Sequence, residues 1–230
     1  QPTGAIDINS GAIYASSRSV TLNLSGADSG SGIAKMSFST NNTTWTTAET
    51  YAASKTWTLP SGDGNKTVYV KYYDKAGNVS AVYSKSIVLD TRPPVGTVKV
   101  NGGAIYTNQT VVMLDLSATD AGSGLSQMSF STNGTNWTTG EDYATAKAWT
   151  FVTGDGAKKV YVKFQDKAGK WSAAVSVTVT LDTVKPTGSI NINSSALYTA
   201  SQTVKLNLSG TDKSSGISTM SFSSDNISWT

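Results

Sequence analysis

The sequence has no cysteine and no histidine. That removes thiol nucleophiles, serine–histidine–aspartate triads and zinc centres of the usual Cys/His kind. It also removes disulfide staples, so whatever folds here is held by an apolar core alone, which a unit of about 90 residues can build. Glutamate is nearly missing as well. Glu49 and Glu141 are the two present, and a glycosidase needs two carboxylates placed across a cleft, so no enzymatic activity is expected. Arginine is confined to Arg18 and Arg92, and the net charge of +3 comes from 18 basic and 15 acidic residues spread along the chain. No basic patch forms to track phosphates, and nucleic-acid binding is not expected. No run approaches the roughly 18 to 20 apolar residues of a membrane helix, so no membrane span is expected. The chain opens at "QPTGAIDIN" without a basic and apolar leader, which reads as a mature segment or a cut fragment.

What the sequence does contain is itself, repeated. "PTGAIDIN" begins at Pro2, "PVGTVKVN" at Pro94 and "PTGSININ" at Pro186, a constant offset of 92 residues (94 − 2 and 186 − 94). The same offset relates Asp28, Asp120 and Asp212, then Met36, Met128 and Met220, then Trp45, Trp137 and Trp229. In the first two copies it continues through Asp74 and Asp166 to Asp90 and Asp182. The period is too long for a solenoid unit and suits an independently folding domain. The organisation read from it is repeat 1 at 1–91, repeat 2 at 92–183 and the first half of a third at 184–230, as beads on a string.

Within a repeat the pattern is that of strands: short alternating or β-branched runs between clusters of Gly, Asn, Asp and Ser, with no helical period. Strands are expected near 4–9, 19–25, 33–39, 44–47, 55–59, 66–73 and 81–89. In "KTVYVKYYD" the alternation puts Val68, Val70 and Tyr72 on one face, and Val160, Val162 and Phe164 repeat it. About seven antiparallel strands in 90 residues predict an all-β chain of tandem immunoglobulin-like β-sandwiches.

The joints "LDTRPPVG" (Leu89 to Gly96) and "LDTVKPTG" (Leu181 to Gly188), together with "MSFS", "GDGNKTVYVK" and "DKAGN" (Asp74 to Asn78), resemble the bacterial Ig-like repeats of large secreted and surface-anchored proteins, adhesins among them. The resemblance implies an extracellular or cell-surface location. The second copy departs from the pattern at "DKAGK", where Lys170 stands in place of the asparagine.

In such a sandwich the loops holding Asp28 and Asp74 lie at the pole where the first strand enters, and Asp90 leaves from the opposite pole. Head-to-tail stacking should therefore bring Asp90 to Asp120 and Asp166, and Asp182 to Asp212. Three carboxylates at a joint suit a hard cation such as calcium. The alternative is that each aspartate caps its own turn, as Asp does beside Gly and Ser. The aromatics Trp45, Tyr51 and Trp57, with Trp137, Tyr143 and Trp149, read either as core and core rim or as a platform for stacking sugars. The third copy stops at Thr230, before its second half; either further repeats complete it or a partner chain adds strands.

Together these readings point to a stalk or fibre segment that sets reach and stiffness, its partners being neighbouring repeats of the same chain. The alternatives are an adhesive module for a glycan or host-surface protein, and a filament subunit that self-associates into fibres by strand exchange.

Overall fold

The computed structural model describes residues 1–230. The first unit is built from β1 (Thr3–Ile8), β2 (Tyr14–Ala15), β3 (Ser19–Ala27), β4 (Ile33–Ser39), β5 (Glu49–Thr50), β6 (Ser54–Thr58), β7 (Gly64–Asp74) and β8 (Tyr83–Leu89). They form two sheets, β1-β3-β6 and β2-β8-β7-β4-β5, facing each other as a sandwich. The second unit repeats this with β9 (Val95–Val100), β10 (Tyr106–Thr107), β11 (Val111–Thr119), β12 (Leu125–Ser131), β13 (Glu141–Asp142), β14 (Ala146–Thr150), β15 (Gly156–Asp166) and β16 (Val175–Leu181). Its sheets, β9-β11-β14 and β10-β16-β15-β12-β13, have the same order.

Alternation decides which face goes inward. Along β7, Val68, Val70 and Tyr72 are fully buried while Tyr69, Lys71 and Tyr73 between them are half-buried on the outer face. Each fully buried aliphatic side chain contributes about 1.5–3 kcal/mol relative to exposure, and each unit assembles its own cluster. Ile8, Leu22, Met36, Phe38 and Tyr72 are central in the first, and Val100, Leu114, Met128, Phe130 and Phe164 occupy the same places in the second. The two clusters share no residue. Tyr72 and Phe164 lie flat against β1 and β9 at Gly4 and Gly96, where a Cβ would come closer than 3.0 Å to the ring. Glycine is needed there for the close approach.

Two expectations need correction. Residues 44–47 are not a strand. The Asn41 side-chain carbonyl accepts the amides of Thr43 and Thr44 at 2.9 and 2.8 Å, and Asn42 takes a left-handed φ of 60°, so the segment winds into a loop. Thr46 makes a single backbone bond to β4, its amide donating to the Phe38 carbonyl at 2.8 Å, and ladder pairing with β4 begins at β5. Nor is every pair antiparallel: β2 runs parallel to β8, and β10 to β16.

The remaining residues form one antiparallel pair, β17 (Thr187–Ile192) with β18 (Leu206–Thr211). Residues 217–223, in register with β4 and β12, form no strand, and Met220, Phe222 and Trp229 are exposed.

Candidate metal centre

The site is assembled by the end of one unit meeting the start of the next. β8 ends at Leu89, and the Asp90 amide still donates to the carbonyl of Ala15, 2.9 Å away. Beyond it the chain is clamped: the Thr91 amide and hydroxyl both donate to Asp63 Oδ1 at 3.0 and 2.8 Å, and Arg92 Nε lies 3.5 Å from Asp63 Oδ2. Pro93 and Pro94 then fix two further φ angles. The Asp90 side chain crosses the joint. Its Oδ2 accepts the amide of Ser123 in the second unit at 2.7 Å, its Oδ1 accepts the Arg92 amide at 3.2 Å, and the residue is 0% exposed. Gly122 makes room for it, since a Cβ there would come within 3.0 Å of the carboxylate.

Two carboxylates of the second unit meet it. Asp120, just after β11, accepts the amides of Gly122 and Gly124 through Oδ1, at 3.2 and 2.7 Å. Asp166, at the end of β15, accepts the Lys170 amide through Oδ1 at 2.8 Å, while its Oδ2 is buried with no hydrogen-bond partner. Ser123 ties the two loops together by accepting the Ala168 amide on its hydroxyl at 3.1 Å. Asp90, Asp120 and Asp166 each place a carboxylate oxygen within 4.8 Å of the others. A cleft of about 420 Å³, lined by Asp63, Asp90, Arg92 and Asp120 among others, opens beside them.

The turn-capping reading of these aspartates is seen directly, and the three carboxylates also gather at the joint. Each caps a turn, and at Asp166 turn-capping leaves Oδ2 over. Burial pushes the Asp166 carboxyl above its ordinary value against the pull of the Lys170 amide, and the charges of Asp90 and Asp120 push it further. An unpartnered buried oxygen among like charges is costly unless something positive joins it. The donor set is all oxygen, and with calcium–oxygen distances of about 2.3–2.6 Å, two ligands on opposite sides of the ion stand roughly 4.6–5.2 Å apart. The observed spacing fits within that.

The second joint repeats the clamp and part of the cluster. Thr183 donates its amide and hydroxyl to Asp155 Oδ1 at 2.9 and 2.7 Å. Asp182 Oδ2 accepts the Ser215 amide at 2.9 Å, an amide it shares with Asp212 Oδ1, also at 2.9 Å. Burial, the largest single influence, pushes the Asp212 carboxyl up, but the amides of Gly216, Ser215 and Ser214 together outweigh it and hold it below the ordinary carboxylate value.

Asp63 and Asp155 escaped the sequence reading. Their signal was available: both sit in "GDG" at the 92-residue offset, but the motif reads as a turn until the linker threonine is seen to dock on it. The hydroxyl of Thr91 holds Asp63 below its ordinary value, and that of Thr183 does the same for Asp155.

The aromatics do not gather into one platform. Trp57 packs on Phe38 with ring centroids 5.3 Å apart, and the Tyr51 hydroxyl accepts the Gly26 amide at 3.1 Å. Trp45 instead lies on the outer face of the other sheet, with Lys71 Nζ 4.0 Å from its ring centroid. In the second unit Trp149 packs on Phe130 and Tyr143 on Phe164, with Trp137 under Lys163. The two glutamates are occupied: Lys55 holds Glu49 and Lys147 holds Glu141, at 2.6 and 2.7 Å.

Residues 6–91 match the family model described as bacterial Ig-like domain. No curated protein sequence matches the chain significantly. Among solved structures, the fibronectin(III)-like modules of CbhA from Clostridium thermocellum are 17% identical, with 76% of this chain and 93% of that one covered and a TM-score of 0.48. The D00-D0 domain of intimin is 10% identical, with 78% and 100% covered and a TM-score of 0.35. At these scores the likenesses bear on neither function nor partners.

Proposed function

Since residues 6–91 match the bacterial Ig-like domain family model and the second unit repeats the first at 92 residues, we propose that the chain is a non-enzymatic stalk segment of a bacterial surface or secreted protein. Its joints are made stiff so that the units hold one orientation, and a calcium ion on Asp90, Asp120 and Asp166 locks the first joint. The observation that carries this reading is Asp90: a flexible spacer would leave its carboxylate in water, whereas here it is buried in the next unit and bonded to Ser123. The clamp of Asp63 on Thr91 and the paired prolines support it from the other side, by removing the freedom of the residues that would act as a hinge. No helix is long and apolar enough to cross a membrane.

Spin labels on the outer faces of β7 and β15 test it. With calcium, the inter-label distance distribution should be narrow, and with chelator it should broaden. A narrow distribution under both conditions would refute the calcium lock and leave the stiff joint. A broad one under both would refute the stalk reading.

A further inference from the structure

The same two loops form the leading pole of both units. At the first loop they differ, since the Ser31 amide donates to Asp28 at 2.8 Å whereas the Ser123 amide donates to Asp90, but around the second loop's aspartate, Asp74 or Asp166, the backbone bonds agree. The amide of residue 75 or 167 donates to the carbonyl of Gly32 or Gly124, at 3.0 and 2.9 Å. Gly77 and Gly169 both donate back to the pole aspartate's carbonyl at 3.2 Å. Asn78 and Lys170 both donate their amide to its Oδ1 at 2.8 Å. Around that aspartate the difference is one side chain. In the first unit Asn78 Nδ2 also donates to Asp74 Oδ2 at 2.8 Å, so both oxygens of that carboxylate are used. In the second, Lys170 has no side-chain amide to offer and makes no ion pair, and Asp166 Oδ2 is the buried oxygen without a partner.

We propose that this position, four residues after the pole aspartate, selects which poles take a divalent cation. Lys170 leaves Asp166 Oδ2 free as a ligand, and the pole of the second unit takes calcium. Asn78 covers the matching oxygen of Asp74, and the pole of the first unit does not. The inference rests on the calcium reading of the joint and adds a positioning residue to it. Its chemistry is simple. An N–H aimed along an oxygen lone pair puts the positive end of a dipole where the ion would sit, so the amide and the cation compete for one place. Because the two loops share their backbone bonds, an asparagine at 170 has the geometry to reach Asp166 as Asn78 reaches Asp74.

Calcium titration calorimetry on the full chain, with wild type, Lys170→Asn and Lys170→Ala, tests this. Alanine leaves the oxygen as free as lysine does, so wild type and Lys170→Ala should bind alike. Lys170→Asn should bind about tenfold or more weakly, the usual cost of disturbing the surroundings of a ligand, and should melt higher than wild type in chelator. Equal affinity in wild type and Lys170→Asn would overturn the selection by residue 170 while leaving the calcium site intact. Weakening by alanine as great as by asparagine would also overturn it, by assigning the effect to the lost lysine. No calcium binding by wild type would remove the site itself, and this inference with it.

Discussion

Replacing Asp90 by asparagine sets two opposing effects against each other at one place. The side chain keeps its shape and one acceptor, so the Ser123 amide keeps a partner, but that bond loses its ionic character and the Arg92 amide faces an NH₂ group. Together these cost about 2 kcal/mol, taking bonds to charged acceptors as stronger by roughly 1 kcal/mol each. On the other side, carboxylate oxygens no more than 4.8 Å apart repel, taken as unit charges at that separation, by about 3 kcal/mol at an effective dielectric of about 20. Asp90 takes part in two such pairs, with Asp120 and Asp166. Even if water around the half-buried Asp120 halves the sum, the relief exceeds the loss or matches it. In chelator, therefore, Asp90→Asn should stabilise the chain by up to about 2 kcal/mol, raising the Tm of the second unit by about 4–8 °C per kcal/mol. In calcium the order should reverse, because wild type gains the ion and the variant does not. Scanning calorimetry in both conditions reads this directly. A variant that melts clearly below wild type in chelator, or one that keeps the wild-type calcium shift, would show that the three carboxylates do not act as one charged cluster.

Gly122→Ala should push Asp90 out of its seat, and losing its bond to Ser123, worth about 2 kcal/mol, should lower hydrogen-exchange protection of the Ser123 amide roughly 30-fold; unchanged protection would contradict the packing described. Tyr72→Phe removes the hydroxyl that donates to the Ala5 carbonyl at 2.5 Å and should cost only about 0.5–1.5 kcal/mol in urea melts, since Phe164 fills the same position in the second unit; a loss above about 3 kcal/mol would give the hydroxyl a larger role. Asp63 and Asp155 are held below 3.8 by Thr91 and Thr183, so the stability they contribute is present above that pH and lost as the pH falls through their folded values. Thr91→Val combined with Thr183→Val should therefore be less stable than wild type at pH 7, with the gap closing in acid. A gap of constant size would break the link to those carboxylates.

Periodicity carried most of the architecture. A two-residue alternation places Val68, Val70 and Tyr72 inward with little ambiguity, and the 92-residue register transfers each assignment to the second unit. Loops were harder. The run at 44–47 has the residue types of a strand, but Asn41 captures the amides that a strand would offer its neighbour, and that competition depends on a side-chain rotamer. The meeting of Asp90 with Asp120 and Asp166 followed from topology, because sandwich poles alternate. The roles of Asp63 and of Asn78 did not, because each depends on which oxygen of a carboxylate is already taken, a distinction of about an ångström.

The parallel pairing of β2 with β8 has a mechanical consequence. Tension on a unit is applied at Thr3 and at Leu89, at opposite poles, and Ile13 and Ala15 are bonded to Val88 and Asp90 across the direction of that pull. Those bonds are loaded in shear and must break together rather than one by one, so a unit resists extension until it yields abruptly. Ile105 and Thr107 repeat the bonds to Thr180 and Asp182, and single chains drawn out should show two separate force peaks of similar height. Until the first unit yields, the length of the chain barely changes under load.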